Sequence, residues 1–356
     1  MVKLGINMTA VVNAIKKVAT GPHLSKNLSI DEAKQAMLEI LSGEADPVQA
    51  AVFFIGLRMK TETNDENLGL LQALQQNTDQ HTASVSEILT FADPFNGYNR
   101  HCPILAFLPA VLAASGLPTV SQGVKEMGPK FGITHSQVLA LAGMDTYQSV
   151  EQASQRIENA DIAWAYVDQS QSTPGLYALE SLRTKIIKRP SLATLEKLIM
   201  PIKAQHKNHL SVGFVHKAYP SVLAWLANQS GFDTALVMRG VEGGILPTLR
   251  ETSNNYRVHG EQVDELLIDP KAFGIEQTTR GVLPQQSDKV TAEETVDVGL
   301  KALSGEVGVA FDSLVLSAAI NLWHVGLQPS QSQAADHVKQ VINSGRAKAF
   351  FEAGVQ

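Results

Sequence analysis

The sequence predicts an α/β fold, with a small N-terminal all-helical domain and a larger α/β domain that has a mainly parallel central sheet. Before residue 85, apolar residues recur at helical spacing behind recognisable helix-start signals. After residue 85, short apolar runs alternate with helical segments, which is the pattern of parallel strands joined by helices. We therefore predict a helical domain over 1–84 and an α/β domain over 85–356.

Length and composition indicate a globular chain. It has 356 residues, of which 44% are hydrophobic and 18% charged. The longest apolar runs are too short, or too interrupted by proline, to span a membrane. The N-terminus has the pattern of a first amphipathic helix and lacks a signal-peptide cleavage pattern. We predict a cytoplasmic protein that does not bind membranes.

Clear start signals mark three helices that follow the N-terminal helix of the helical domain. Ser29 and Glu32 form a capping-box pair ahead of a helix over 29–42. Asp46 caps the next helix, and Thr63 with Glu66 opens the third. The helix after Asp46 is apolar almost all round, so we expect it to be buried on most sides. An apolar face left over on so small a bundle is often a subunit contact.

The stretch from Leu89 to Gly123 predicts a strand, a polar glycine turn, a helix and a second strand. Ligands of open α/β sheets bind beyond the carboxyl ends of strands, where such a turn opens a helix. This turn has one glycine among side-chain donors and a cation, in the order Asn96, Gly97, Asn99 and Arg100. We predict that it contributes to an anion site; an ordinary strand-to-helix connection is the alternative.

The remainder of the chain alternates as a wound sheet should. Helices are predicted at 133–142, 149–158, 176–188, 192–200 and 219–229, and strands at 162–167, 210–215 and 235–238. The region 252–288 is more polar, with possible strands at 257–259 and 265–268 and a linker at 285–288.

Positive charge is concentrated in one window of an acidic chain. The net charge is -6, but residues 180–217 contain eight Lys or Arg against two Glu, a local balance of +6. Such a concentration indicates an anionic ligand, because solubilising charge is usually mixed in sign. A solvated helix face that collects lysine is the alternative.

Two long segments resemble the anthranilate phosphoribosyltransferases. Their N-terminal helical domain is similar to LSIDEAKQAMLEILSGEADPVQAAVFFIGLRMKTET, and their C-terminal helix pair is similar to ALSGEVGVAFDSLVLSAAINLWHVG. The resemblance covers nearly the whole chain, within glycosyltransferase family 3 and the nucleoside phosphorylase-like fold. It implies that a segment within about 176–202 crosses back to complete the helical domain. It also implies a homodimer through that domain.

The resemblance locates departures from the family's chemistry. The family's glycine-rich pyrophosphate cradle corresponds to Asp93–Arg100, where three of its glycines have no counterpart. Side chains there would keep the backbone away from pyrophosphate. In the family's next basic segment, this chain keeps the glycine as Gly123 and has Lys125 in place of the arginine. The family's metal-binding acidic pair corresponds to Glu242 and a glycine, so only one carboxylate remains. One carboxylate makes a weak Mg²⁺ site.

The family's residues at the binding site of the acceptor substrate have closer counterparts in this chain. Arg183 and Arg189 resemble arginines of the family, and Arg183 falls on the one that holds the acceptor's carboxylate. An arginine fork suits a carboxylate or a phosphate equally. The chain looks more like a divergent paralogue group that includes YbiB, whose members are nucleic-acid-binding dimers without the glycine-rich cradle. The shared features are Arg183, Arg189, Thr194, Lys197, Pro201, the turn at Asn96 and Gly97, and the GxEG motif at 240–243.

These residues define one predicted anion site. It consists of Asn96, Gly97, Asn99, Arg100, Gly123, Lys125, Arg183 and Arg189. Pro190 disfavours helix at the residue before it, so the helix should break between the last two arginines and let them converge.

Three hypotheses about function follow. The first is an atypical family member that binds an extended polyanion, nucleic acid (DNA or RNA), and has lost tryptophan-pathway catalysis. The second is an active glycosyltransferase or phosphoribosyltransferase that uses a different ribosyl or nucleotide substrate; Mg²⁺ is expected as a cofactor only in this case. The third is a dimeric scaffold with a vestigial cleft.

Overall fold

The computed structural model of the protein describes residues 9–21, 23–215, 219–286 and 288–356. The described chain forms two compact units. The first runs up to Thr78 and includes Thr173–Ile199, and the second consists of Asp79–Ser172 and Met200–Gln356. The end of the cationic window, at 216 and 217, and residue 287 of the predicted linker lie outside the described residues.

The elements follow one another in this order. The α-helices are α1 Ala10–Val18, α2 Ile30–Leu41, α3 Pro47–Lys60, α4 Asn64–Gln76, α5 Leu108–Ala114, α6 His135–Leu141, α7 Val150–Glu158, α8 Gln169–Ser172, α9 Pro174–Tyr177, α10 Glu180–Lys185, α11 Leu192–Leu195, α12 Tyr219–Gln229, α13 Ala292–Leu303, α14 Val309–His324, α15 Gln331–Asn343 and α16 Arg346–Val355. The strands are β1 His81–Thr82, β2 Glu87–Ala92, β3 Thr119–Gly123, β4 Trp164–Asp168, β5 Ile202–Lys203, β6 Lys207–Gly213, β7 Thr234–Met238, β8 Ser253–His259 and β9 Gln262–Ile268. Single 3-10 turns lie at Ile104–Phe107, Glu196–Leu198, Val241–Gly243 and Pro270–Phe273.

Capping interactions start the helices of the first unit where the sequence predicts them. Ser29 and Glu32 form a capping box at α2, and Thr63 and Glu66 form one at α4. At α3 the Asp46 side chain accepts hydrogen bonds from two of the first N–H groups. The three predicted helices are confirmed, because each start signal satisfies N–H groups that have no partner within the helix.

One face of α3 is less buried than its composition predicts. Phe53, Phe54 and Leu57 are buried, but Val52 is 41% and Met59 79% exposed. The exposed residues line an apolar groove of about 520 Å³ with residues of α1 and the turn after it. The prediction that α3 is buried on most sides is wrong for this face, because nothing in the described part of its own unit covers it.

A seven-stranded sheet forms the centre of the second unit, in the order β4-β3-β2-β6-β7-β8-β9. The strands from β4 to β7 in that order are parallel, and β8 and β9 add an antiparallel hairpin. The predicted mainly parallel sheet is confirmed. The chain leaves β2 for β3 on one side and reaches β6 on the other. The carboxyl end of β2 is therefore a topological switch point, where α/β sheets bind ligands.

The segment between residues 173 and 199 is more broken than predicted. The sequence predicts one helix over 176–188, but the structure has α9 and α10 with a break between them. After α10 the chain turns at Ile187, which has φ +61°. The predicted break between Arg183 and Arg189 is confirmed, since α10 ends at Lys185.

In the described residues, no helix is both long and apolar enough to cross a bilayer.

Candidate functional site

A tight turn over residues 93–101 follows the carboxyl end of β2. Gly97 has φ +70°, in the left-handed region that favours glycine, and its N–H donates to the Pro94 carbonyl at 2.8 Å. A Cβ on Gly97 would lie 2.3 Å from the Gly132 carbonyl oxygen. The glycine of the predicted turn is therefore required by its geometry.

A buried carboxylate, Asp93, anchors this turn. The Tyr98 hydroxyl donates to Asp93 Oδ2 at 2.7 Å, and the Ile245 N–H donates to Oδ1 at 2.9 Å. His135 Nε2 lies 2.9 Å from Oδ2. Burial by itself would raise the pKa of Asp93, but the charge of His135 and these hydrogen bonds outweigh it and lower the pKa. Asp93 thus ties the turn after β2 to the loop after β7.

A second carboxylate, Glu242, fills the concave side of the turn. Three consecutive N–H groups, those of Asn99, Arg100 and His101, donate to it at 3.1, 2.9 and 3.0 Å. Lys130 Nζ donates to Glu242 Oε2 at 2.8 Å, and His101 Nδ1 lies 3.2 Å from Oε1. The Glu242 side chain is only 3% exposed. Donors that such a turn usually offers to a ligand anion are therefore engaged within the chain.

The surroundings of Glu242 keep it ionised. Burial alone would raise its pKa, but the hydrogen bonds from His101, Lys130 and the Asn99 N–H outweigh burial and hold the pKa well below its usual range. Its backbone has φ +52° and ψ +18°, a left-handed conformation that is costly for a residue with a side chain. The contacts of the carboxylate offset this strain.

A polar pocket of about 470 Å³ opens beside the turn. Arg100 and Arg239 are exposed side chains that line it, and neither guanidinium has an ion-pair or hydrogen-bond partner within the described residues. Arg280 also lines the pocket and donates to Glu251 at 2.9 Å. Arg239 directly follows β7 at its carboxyl end. Two uncommitted guanidinium groups in one pocket suit a ligand that carries several negative charges.

Six of the predicted site residues lie at the carboxyl edge of the sheet in the second unit. Asn96, Gly97, Asn99 and Arg100 form the turn after β2. Gly123 ends the neighbouring strand β3, and the exposed Lys125 follows two residues later. The other two, Arg183 and Arg189, belong to the first unit. One site that contains all eight residues stays a prediction.

Arg183 is committed to a partner inside the first unit. Its Nη1 and Nη2 donate to the two carboxylate oxygens of Glu196 at 2.7 and 2.9 Å. The two side chains are 5% and 3% exposed. The fork that the sequence assigns to an external anion is thus bonded to a carboxylate of the same chain. Sequence reasoning missed this because the partner carboxylate follows 13 residues later, beyond a break in the helix.

Arg189 and the rest of the cationic window are spread over both units. Arg189 is exposed, and its carbonyl oxygen accepts a hydrogen bond from Arg58 Nη1. The window runs across the boundary at Ile199, so its lysines do not belong to one compact unit. Clustering in the sequence therefore overstates the clustering of positive charge in each unit.

The residues around Glu242 do not fit the Mg²⁺ ion that the family resemblance implies for an active transferase. Both oxygens of Glu242 face N–H and ammonium donors, and the next residue is Gly243 instead of a second acidic residue. No group of three or more metal-ligating side chains occurs in the part of the chain that the structure describes. The Lys130 ammonium already supplies a positive charge beside the Glu242 carboxylate.

Sequence reasoning missed three functional candidates, His101, Lys130 and Arg239. Arg239 could have been found, because it immediately follows a predicted strand at the edge where ligands bind. Lys130 gave no such signal, since it lies 112 residues before its partner Glu242. His101 stood beside the predicted turn, but only its contact with Glu242 gives it a role.

Comparison with known protein families gives two matches. The model described as the glycosyl transferase family helical bundle domain matches residues 12–78, and the one described as the glycosyl transferase family a/b domain matches residues 104–348. An anthranilate phosphoribosyltransferase of Pelotomaculum thermopropionicum is 27% identical over 343 residues, covering 95% of this chain and 94% of that protein. An uncharacterized protein of Aquifex aeolicus is 24% identical over 336 residues, covering 94% and 99%.

Solved structures with the same fold include two anthranilate phosphoribosyltransferases. The enzyme of Thermus thermophilus aligns with a TM-score of 0.78 and 19% identity, covering 98% of each chain. That of Saccharomyces cerevisiae in complex with PRPP and Mg aligns with a TM-score of 0.77 and 16% identity, covering 97% of this chain and 96% of that one. At these identities the likeness shows the fold alone.

Proposed function

Because this chain belongs to the glycosyl transferase family with a helical bundle and an α/β domain, we propose that it is an atypical member that binds an extended anionic ligand. The ligand class is nucleic acid, and the phosphoribosyl transfer of its relatives is lost. The observation that carries this proposal is the pair of uncommitted guanidinium groups, Arg100 and Arg239, in one polar pocket. A cytoplasmic location is part of the same proposal.

The state of the turn supports the loss of transfer. The N–H groups that would hold a pyrophosphate are engaged by Glu242, and the side chains of the turn replace the glycines of a phosphate cradle. Stabilisation of the leaving pyrophosphate supplies much of the catalysis in such reactions, so its loss should abolish turnover.

The experiment for this function combines binding and turnover. We expect fluorescence anisotropy with a labelled single-stranded DNA to show binding that weakens steeply with salt, because phosphate contacts release counterions. Arg100→Ala and Arg239→Ala should each weaken binding and lower the salt slope by about one unit. Anthranilate with phosphoribosyl pyrophosphate and Mg²⁺ should give no product above a no-enzyme control.

Lys26→Ala provides the control for the binding experiment. It removes one exposed positive charge in the first unit, outside the pocket. We expect its affinity and salt slope to match those of the unmodified protein. Equal losses in all three variants would mean that binding is diffuse electrostatics, and the proposed pocket would have to be abandoned.

A second candidate function is an active glycosyltransferase or phosphoribosyltransferase with a different ribosyl or nucleotide substrate. It is favoured by relatives named anthranilate phosphoribosyltransferase that align over nearly the whole chain. One solved relative is described as a complex with PRPP and Mg, so Mg²⁺ would be the cofactor in this case. Turnover of any ribosyl donor with Mg²⁺ would establish this candidate over the first.

We also propose a homodimer through the apolar groove on α3. Val52→Glu or Met59→Glu should shift the protein from dimer to monomer, because each places a charge on a surface that must be desolvated in the interface. Light scattering coupled to size exclusion at micromolar concentration measures the mass. Val307→Glu, at an 82% exposed apolar position of the second unit, is the control and should leave the mass unchanged. A monomeric mass for the unmodified protein contradicts the proposal.

A further inference from the structure

We propose that Glu242 is a built-in substitute for a bound phosphate and determines that this chain rejects phosphate groups at the turn after β2. The proposal concerns residues 99–101, Lys130 and Glu242, which all belong to the second unit. It does not depend on nucleic-acid binding. It concerns the backbone N–H groups and the Lys130 ammonium that hold Glu242, whereas the proposed nucleic-acid site rests on the guanidinium groups of Arg100 and Arg239.

The donors around Glu242 are those that recognise an oxyanion. Consecutive backbone N–H groups in a turn form a concave site with partial positive charge, which commonly binds phosphate. Here three such groups converge on one carboxylate with donor–acceptor distances of 2.9 to 3.1 Å. Lys130 adds a full positive charge at 2.8 Å. The carboxylate supplies two oxygens where a phosphate would supply three or more.

The backbone of Glu242 has a conformation that does not require a side chain. A residue at φ +52° and ψ +18° is relaxed as glycine and strained as glutamate. Glycine at this position would therefore ease the backbone. It would also leave the donors of the turn open to solvent anions. We therefore expect the loop to keep its shape when the side chain is removed.

The rim of the pocket differs from the turn in its charge balance. Arg100 and Arg239 have no partner within the described residues, whereas the donors of the turn are fully occupied. An anionic ligand is thus met by side chains on the rim and is excluded from the backbone cradle. Glu242 therefore directs an anionic ligand to the arginine side chains and away from the N–H groups of the turn.

Glu242→Gly tests the proposal with inorganic pyrophosphate as the probe. Calorimetric titration should show at least a tenfold gain in the association constant over the unmodified protein, because charge-assisted hydrogen bonds to the freed donors are strong. Glu242→Asn is the second variant, since asparagine tolerates the left-handed region and its shorter side chain does not reach the donors. A thermal melt verifies that each variant is folded.

Glu261→Ala is the matched control. Glu261 is an exposed carboxylate of the second unit that does not line the pocket, and its removal changes the net charge by the same amount. We expect its association constant to rise less than threefold. Equal gains for Glu242→Gly and Glu261→Ala would show a general charge effect and overturn the proposal. Folded Glu242→Gly or Glu242→Asn protein without any gain would overturn it as well.

Discussion

Replacing Glu196 by alanine should lower the free energy of unfolding by about 3–5 kcal/mol, because it leaves the Arg183 guanidinium buried without a partner. Both side chains are almost fully covered, so water cannot replace the lost carboxylate. The ion pair joins α10 to the 3-10 turn Glu196–Leu198 within the first unit. Urea unfolding followed by circular dichroism measures the effect.

Two further variants separate a buried charge from a lost contact. Arg183→Met combined with Glu196→Leu removes both charges and fills the space, so it should be clearly more stable than Glu196→Ala alone. Asp297→Ala breaks an exposed pair with Lys301 and should have little effect. If Glu196→Ala behaved like Asp297→Ala, Arg183 would have to be accessible to water, and its role as a ligand-binding residue would be restored.

This ion pair changes how a substitution of Arg183 must be interpreted. A loss of ligand binding in Arg183→Ala would not identify a contact with the ligand, because the variant also leaves the Glu196 carboxylate buried and unpaired. Arg100 and Arg239 are exposed and make no ion pair in the described chain, so their removal tests binding without that complication.

The helix starts were predictable because their causes are local. A capping box depends on two residues three positions apart, so Ser29 with Glu32 and Thr63 with Glu66 identify their helices directly. The parallel sheet was predictable for a similar reason, since each buried strand carries a continuous apolar run. The open face of α3 was not predictable, because the apolar composition of a helix does not show which of its sides the rest of the unit leaves uncovered.

The candidate site was predictable only in part, since its decisive contact joins distant residues. The sequence located the turn through Asn96 and Gly97, and the family resemblance aligned Glu242 with one position of the family's acidic pair. It gave no sign that Glu242 reaches the N–H of Arg100, which lies 142 residues earlier. The partnership depends on the order of β2, β6 and β7 in the sheet, and no local pattern encodes that order.

Lowering the pH from 6.5 to 5 should destabilise the protein through His324 at the end of α14. His324 Nε2 lies 3.0 Å from Thr234 Oγ1, and the ring of His259 lies 5.0 Å away, centroid to centroid. Burial, together with the smaller effects of the charges of His259, His209 and Arg257, lowers the pKa of His324 to about 3. The C-terminal end of a helix favours a protonated histidine, but this effect is smaller than the effect of burial here.

The direction of this pH dependence follows from the pKa of His324 in the unfolded chain and in the folded chain. An unfolded chain binds a proton at His324 below its ordinary pKa of about 6.5, whereas the folded chain does not until the pH approaches about 3. Stability is therefore complete above pH 6.5 and is lost as the pH falls toward 3, by at most about 1.4 kcal/mol per pH unit. At pH 5 the loss should reach about 2 kcal/mol. Partial exposure of the His324 ring makes this an upper figure.

Urea unfolding at pH 7, 6 and 5 measures this dependence on His324. His324→Gln keeps a donor for Thr234 and has no titrating group, so its free energy of unfolding should fall less over the same range. The pKa of His209 is also lowered by burial, so some dependence should remain in that variant. His23→Gln, at an exposed position, should follow the unmodified protein. Identical curves for His324→Gln and the unmodified protein would show that His324 does not resist protonation in the folded chain.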